Sequence, residues 1–235
     1  MIRRGIRNRR FTGVPSPDPR SLGALAWWDH SAGIAVETGV SVWTDQISGF
    51  AMSQPVGSLQ PEQGANGLVF STGYQYLSMA DTAARDVLES GEFLIAFRWR
   101  VTTYGAGDYL FDAGPDSGGR RESIYQLTND LIARSTNDAG TQSPIAVHSA
   151  TDGLDVTTLM WRTGGTTFAR SNGNYFAIGD SGTFANATTE AVLGNRLPAY
   201  TANTGMIGTV KHVVFFNSPL SGGERSSLES WMGAQ

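Results

Sequence analysis

The sequence predicts an all-β fold: a two-sheet antiparallel sandwich with a short C-terminal helix and an extended N-terminal arm. Three observations predict it. Phe93–Val101 alternates with a period of two, with Phe93, Ile95, Phe97, Trp99 and Val101 on one face and Leu94, Ala96, Arg98 and Arg100 on the other. That is the pattern of a strand with one core-facing side. Short apolar runs recur along the chain between turn residues, the spacing of a sandwich. Asn172-Gly173 separates two such runs, and both residues of a type I′ hairpin turn must take φ > 0, which Asn and Gly tolerate.

The elements follow in chain order. Residues 1–21 read as a basic arm. Pro15, Pro17 and Pro19 fall within five residues, which excludes a helix and favours an extended segment. The patterned domain runs from 22 to 235. Strands are expected at Ala24–Trp28, Val40–Asp45, Leu68–Phe70, Tyr76–Met79, Phe93–Val101, Tyr109–Asp112, Ser123–Leu127, Leu131–Ser135 and Ile145–His148. More are expected at Thr157–Arg162, Thr166–Ser171, Tyr175–Ile178, Ala191–Gly194 and Thr209–Phe216, with Thr163-Gly164-Gly165 as a second tight turn. Asp81–Glu89 has room for two helical turns. Ser221-Gly222-Gly223-Glu224 is a capping box that opens a helix over Ser221–Met232, with Leu228, Trp231 and Met232 as its apolar stripe. The inter-sheet core is expected to hold Phe93, Ile95, Phe97, Trp99, Val214 and Phe216.

Composition bounds the function. The 235 residues are 40% hydrophobic and only 16% charged, against roughly 25% in an average protein. Ten per cent aromatic residues argues against disorder. With no cysteine there is no disulfide framework, thiolate metal site or cysteine nucleophile. No apolar run reaches the roughly 20 residues of a membrane-spanning helix, and no apolar stretch follows the basic start to make a secretory signal. Residues 1–20 carry six arginines and one acid, a net +5; the other 215 carry 11 basic and 20 acidic groups, a net −9. Such asymmetry suggests a tail that docks on something anionic. The arm residues expected to dock are Arg3, Arg4, Arg7, Arg9 and Arg10, with Phe11 and Val14 as apolar anchors. No groove-reading motif accompanies them, so a dedicated nucleic-acid reader is not expected.

Catalytic signals are weak. Gly114-Pro115-Asp116-Ser117-Gly118-Gly119 contains the D-S-G-G of chymotrypsin-like serine proteases. A serine nucleophile needs an oriented histidine base, and none of His30, His148 and His212 lies in such a context, so a turn is the favoured reading. No strand carries alternating acids as a sandwich glucanase would; Glu89/Glu92 and Asp152/Asp155 read as junction and turn residues. Three scattered histidines give no zinc signature, and no metal site is expected. Calcium held by Asp112 and Asp116, or by Asp130 and Asp138, is the one cofactor considered, with ordinary turns favoured over it. The loop tyrosines Tyr104, Tyr125 and Tyr200 are the candidate glycan-stacking residues.

Leu25-Ala26-Trp27-Trp28-Asp29 followed by Val40-Ser41-Val42-Trp43-Thr44-Asp45 resembles the opening of laminin-G-like, concanavalin A-like jelly-roll domains. Gly67–Phe70, Phe93–Val101 and the close Gly208–Phe216, Pro219-Leu220-Ser221, Glu224-Arg225 are similar to later segments of that family. His212 departs from it, standing where the family often has an acid. The resemblance implies a jelly roll with lectin-like or structural roles and little catalysis, as in many bacteriophage virion proteins. The expectation is therefore a non-enzymatic virion structural protein: a capsid decoration, head fibre or tail component, homo-oligomeric and bound to other virion proteins through its arm. The alternative is a glycan-binding module that recognises a host surface polysaccharide, and a polysaccharide hydrolase is the remote one.

Overall fold

The computed structural model describes residues 17–79, 82, 86–89, 91–103, 108–114, 121–127, 130–136, 142–149, 153–180, 190–196 and 204–235. The strands, in chain order, begin with β1 (Ala26–Asp29), β2 (Ile34–Val36), β3 (Val40–Thr44), β4 (Ala51–Ser53), β5 (Glu62–Gly64), β6 (Gly67–Phe70), β7 (Leu77–Met79), β8 (Phe93–Thr103) and β9 (Tyr109–Gly114). They continue with β10 (Arg121–Leu127), β11 (Asp130–Thr136), β12 (Gln142–Ser149), β13 (Asp155–Thr163), β14 (Thr166–Ser171), β15 (Asn174–Asp180), β16 (Glu190–Leu193) and β17 (Ile207–Phe216), and helix α1 (Gly222–Gly233) follows.

The strands form two antiparallel sheets. One has eight strands in the order β15-β14-β13-β8-β17-β6-β5, with β1 paired to β17 beside this path. The other has nine, in the order β12-β11-β10-β9-β16-β7-β4-β3-β2. The predicted sandwich and C-terminal helix are therefore present. The short strands β2, β4 and β5 escape the sequence reading because three residues carry too little alternation to register. Around Asp81–Glu89, Thr82 and Asp86 are helical and Val87–Glu89 forms a 3₁₀ turn. Asn172 and Gly173 take φ of 45° and 85°, and Gly164 and Gly165 take 57° and 82°, as tight hairpins require.

Apolar side chains pack in two layers. Between the sheets lie Trp28, Trp43, Phe70, Phe93, Ile95, Phe97, Trp99, Phe111, Val213 and Phe215. On the outer face of the eight-stranded sheet, Leu94, Leu159, Trp161, Val214 and Phe216 pack beneath Leu228 and Met232 of α1. This corrects the expected core: Val214 and Phe216 are buried, but under the helix. The cause is a bulge between Val210 and His212 in the β17–β8 pairing. It leaves Val210, Val213 and Phe215 facing the interior. Lys211 and His212 come out consecutively on the outer face, where Lys211 meets Asp155 and His212 meets Trp231.

Helix α1 is docked by polar contacts as well. Ser221 accepts from the Glu224 amide and Glu224 accepts from the Ser221 amide, closing the predicted capping box. Arg170 pairs with Glu229 at 2.9 Å, and the Arg225 guanidinium lies 4.3 Å from the Trp161 ring centroid. Of the predicted arm, residues 1–16 lie outside the described residues. Asp18 opens a turn that accepts from Ser21, and Arg20 stacks on Trp27 at 4.6 Å.

Candidate functional site

The outer face of the nine-stranded sheet carries a polar and aromatic constellation. Alternation along β9, β10 and β11 sends Phe111, Ala113, Ile124, Leu131 and Ala133 to the core. Asp112, Ser123, Tyr125 and Arg134 consequently take the opposite side. A bulge between Ile124 and Tyr125 sets Tyr125 opposite Tyr109. The two phenol rings stack there with centroids 5.0 Å apart and planes 18° from parallel. The Arg134 guanidinium lies 5.0 Å from the Tyr125 centroid and donates to the Tyr109 hydroxyl at 3.3 Å. It also reaches the Ser123 hydroxyl at 3.5 Å, which itself donates to Asp112 at 2.6 Å.

Asp112, Ser123, Tyr109 and Arg134 are buried, whereas Tyr125 is half-buried. Burial pushes the Tyr125 phenol above its ordinary pKa, against the opposing Arg134 charge, so it stands as a neutral hydroxyl. Glu122, one residue before Ser123, points the other way, into the sandwich, and accepts from Ser135 at 3.0 Å.

A second cation reaches this face from the segment after β16. Arg196 is exposed and places its guanidinium 5.6 Å from the Tyr109 centroid. The turn that aims it is built by its two predecessors. Gly194 takes φ of +91°, and a Cβ there would sit 2.3 Å from Phe70, so glycine is required. Asn195 is buried, donates to the Gly73 carbonyl, and accepts from Thr204 and from the Arg196 amide. The arrangement offers a half-buried phenol and the exposed Arg196 guanidinium above a buried layer of Tyr109, Ser123, Asp112 and Arg134: the means to pack a sugar ring and to meet a carboxylate.

Two other polar clusters lie on the outer face of the eight-stranded sheet. Asp155 receives Arg100 at 2.7 Å, Lys211 at 2.9 Å and Arg98 at 3.5 Å, beside a cleft of about 190 Å³ lined also by Gly64, Asn66 and Val69. Burial opposes ionisation of Asp155, but the hydrogen bonds from Arg100 and Lys211 outweigh it and hold the carboxyl below its ordinary pKa. Next to Trp231, Asp29, His30 and His212 bring one ligand atom each to within 4.8 Å of one another. Burial is the main cause that pushes His212 down to about pKa 4, so its imidazole is neutral at pH 7.

Of the sequence-predicted glycan residues, Tyr125 lies within strand β10 rather than in a loop, stacked on Tyr109. Tyr104, Tyr200 and the arm residues Arg3, Arg4, Arg7, Arg9, Arg10, Phe11 and Val14 lie outside the described residues. So do Asp116 and Asp138, the partners imagined for calcium, and Ser117 of the protease-like turn. Tyr109, Arg134 and Arg196 have no mark in the sequence, because nothing local in a strand or turn tells which residues the assembled sheet brings together. The histidine cluster was missed because its members meet only through the β1–β17 pairing, in which Asp29 stands opposite His212.

No known family model matches the sequence, and no curated protein matches it. Solved structures do match in fold. Trypanosoma rangeli sialidase superposes over 90% of this chain with TM-score 0.66 and 17% identity. This chain spans 33% of that sialidase chain. Domain 4 of AbnA, a GH43 extracellular arabinanase from Geobacillus stearothermophilus, in complex with arabinotriose, covers 88% of this chain and 98% of its own length, at TM-score 0.65 and 12% identity. The Ruminococcus gnavus IT-sialidase CBM40 bound to α2,3-sialyllactose covers 70% of this chain and 96% of its own, at TM-score 0.59 and 14% identity. These likenesses agree with the two-sheet sandwich expected from the concanavalin A-like resemblance. They also correct the expectation of a non-enzymatic protein: the same sandwich forms a third of sialidase chains, so the fold gives no ground for excluding catalysis.

Proposed function

We propose that this chain is a glycan-binding module that takes an acidic saccharide on the outer face of the nine-stranded sheet. The observation that carries the proposal is the Tyr109–Tyr125 stack flanked by the Arg134 and Arg196 guanidinium groups. A phenol face packs against the apolar face of a sugar ring. A guanidinium matches a carboxylate with two parallel hydrogen bonds, which a neutral sugar cannot use in the same way. The fold neighbours support the reading, since one is bound to sialyllactose and another is in complex with arabinotriose. None of the neighbours named above is a virion protein, so the likeness favours the glycan-binding alternative over the virion role expected from the sequence.

Isothermal titration with sialyllactose and with a neutral arabino-oligosaccharide tests the proposal. The acidic sugar should bind more tightly. Arg196→Ala, an exposed change, should weaken it at least tenfold while leaving the neutral sugar nearly unaffected. Tyr125→Ala should weaken both. Equal affinities of wild type, Arg196→Ala and Tyr125→Ala for the acidic sugar would remove the site from this face.

A further inference from the structure

We propose that Asp29, His30 and His212 form a binding site for one divalent transition cation of the zinc, cobalt or nickel class, joining the end of β1 to the middle of β17. The geometry is close to what such an ion needs. Ligand atoms around a tetrahedral zinc at 2.0–2.2 Å stand about 3.3–3.5 Å apart. Here His30 Nδ1 lies 3.6 Å and His212 Nδ1 3.9 Å from Asp29 Oδ1, and one ligand atom from each of the three residues falls within 4.8 Å of the others. Closing the set to zinc distances takes side-chain shifts of a few tenths of an ångström to about 1 Å, and His30 sits in the turn just past β1.

The hydrogen bonding of the cluster is incomplete in the way a ligand set would leave it. His30 Nδ1 is buried with no hydrogen-bond partner. His212 Nδ1 has only a long 3.4 Å bond from the Trp27 indole, which a metal would replace. Asp29 Oδ1 also accepts from the amide and hydroxyl of Ser31, which fix the carboxylate's orientation as outer partners of metal ligands do. Two imidazoles and one carboxylate select transition cations over calcium or magnesium. The nearby cations Lys211 and Arg98 oppose an ion here, but both are paired with Asp155.

Three protein ligands leave a position for water, since Asp29 and His30 keep about a fifth of their side-chain surface exposed. Trp27 and Trp231 border His212 and would report an ion by a change in fluorescence.

The test uses the full chain, stripped with a chelator and dialysed, then titrated with zinc chloride by calorimetry and with cobalt chloride by visible absorbance. One ion per chain is expected, with a tryptophan fluorescence change and no response to calcium. His30→Ala and Asp29→Asn should each weaken zinc at least tenfold while melting, metal-free, near the wild type. His148→Ala, which alters the remaining histidine on β12, should bind zinc as the wild type does. Absence of saturable zinc binding would overturn the proposal. So would zinc binding unchanged in both His30→Ala and Asp29→Asn, or lost in His148→Ala.

Discussion

At Asp155 three cations converge on one carboxylate, and the arrangement depends on two local events. Arg98 and Arg100 stand two apart on β8 and so share a face, and the β17 bulge delivers Lys211 to that same face. Replacing Asp155 by Asn removes the carboxylate and leaves Arg98 and Lys211, both largely buried, without it. A cost of about 2–3 kcal/mol is expected, below the roughly 3–5 kcal/mol of breaking a fully buried pair because Arg100 is half exposed. The folded-state pKa of Asp155 lies below its ordinary value. Its contribution is therefore complete above the unfolded carboxylate pKa of about 3.9 and fades as pH falls through the lower folded value. Thermal melts from about pH 5 down to about pH 2 should show a steeper acid loss in wild type than in Asp155→Asn. Parallel profiles would deny the residue this role. None of this is readable beforehand, since Asp155 alone looks like a turn residue and its partners lie 55 to 57 positions away.

Local signals fared differently at the scale of elements. The Asn172-Gly173 hairpin and the Ser221/Glu224 capping box are visible in the sequence because each is decided within four residues, and both form as read. The alternation of β8 is equally plain. The bulge in β17 is invisible, because its apolar run satisfies either register and only the partner strands choose between them. Helix α1 gives two expectations of different size. Ser221→Ala removes a side-chain cap on an exposed helix start and should cost about 1 kcal/mol. Leu228→Ala empties a fully buried position against Leu159 and Trp161's layer and should cost about 2–5 kcal/mol. Urea melts of the two variants rank them, and an equal or reversed order would mean that the helix is held by its cap more than by its packing.

Across the whole molecule, the sequence speaks for strands and sandwich but not for which strand neighbours which. The order of the nine-stranded sheet places β16, near residue 190, between β9 and β7, and that placement is what brings Arg196 to the Tyr109–Tyr125 stack. Tyr125 could be nominated by type alone. Its partners could not, because the face they share exists only once the sheet is assembled. The two sides of the sandwich then divide the chemistry. The aromatic and guanidinium face belongs to the nine-stranded sheet; the Asp155 and histidine clusters and α1 belong to the other. The most direct test of this account is a backbone amide NMR titration with sialyllactose. Shifts should concentrate in β9, β10, β11 and residues 194–196, leaving β8, β13 and α1 still. Shifts centred on β8, β13 or α1, with β9 to β11 unmoved at saturating sugar, would contradict it.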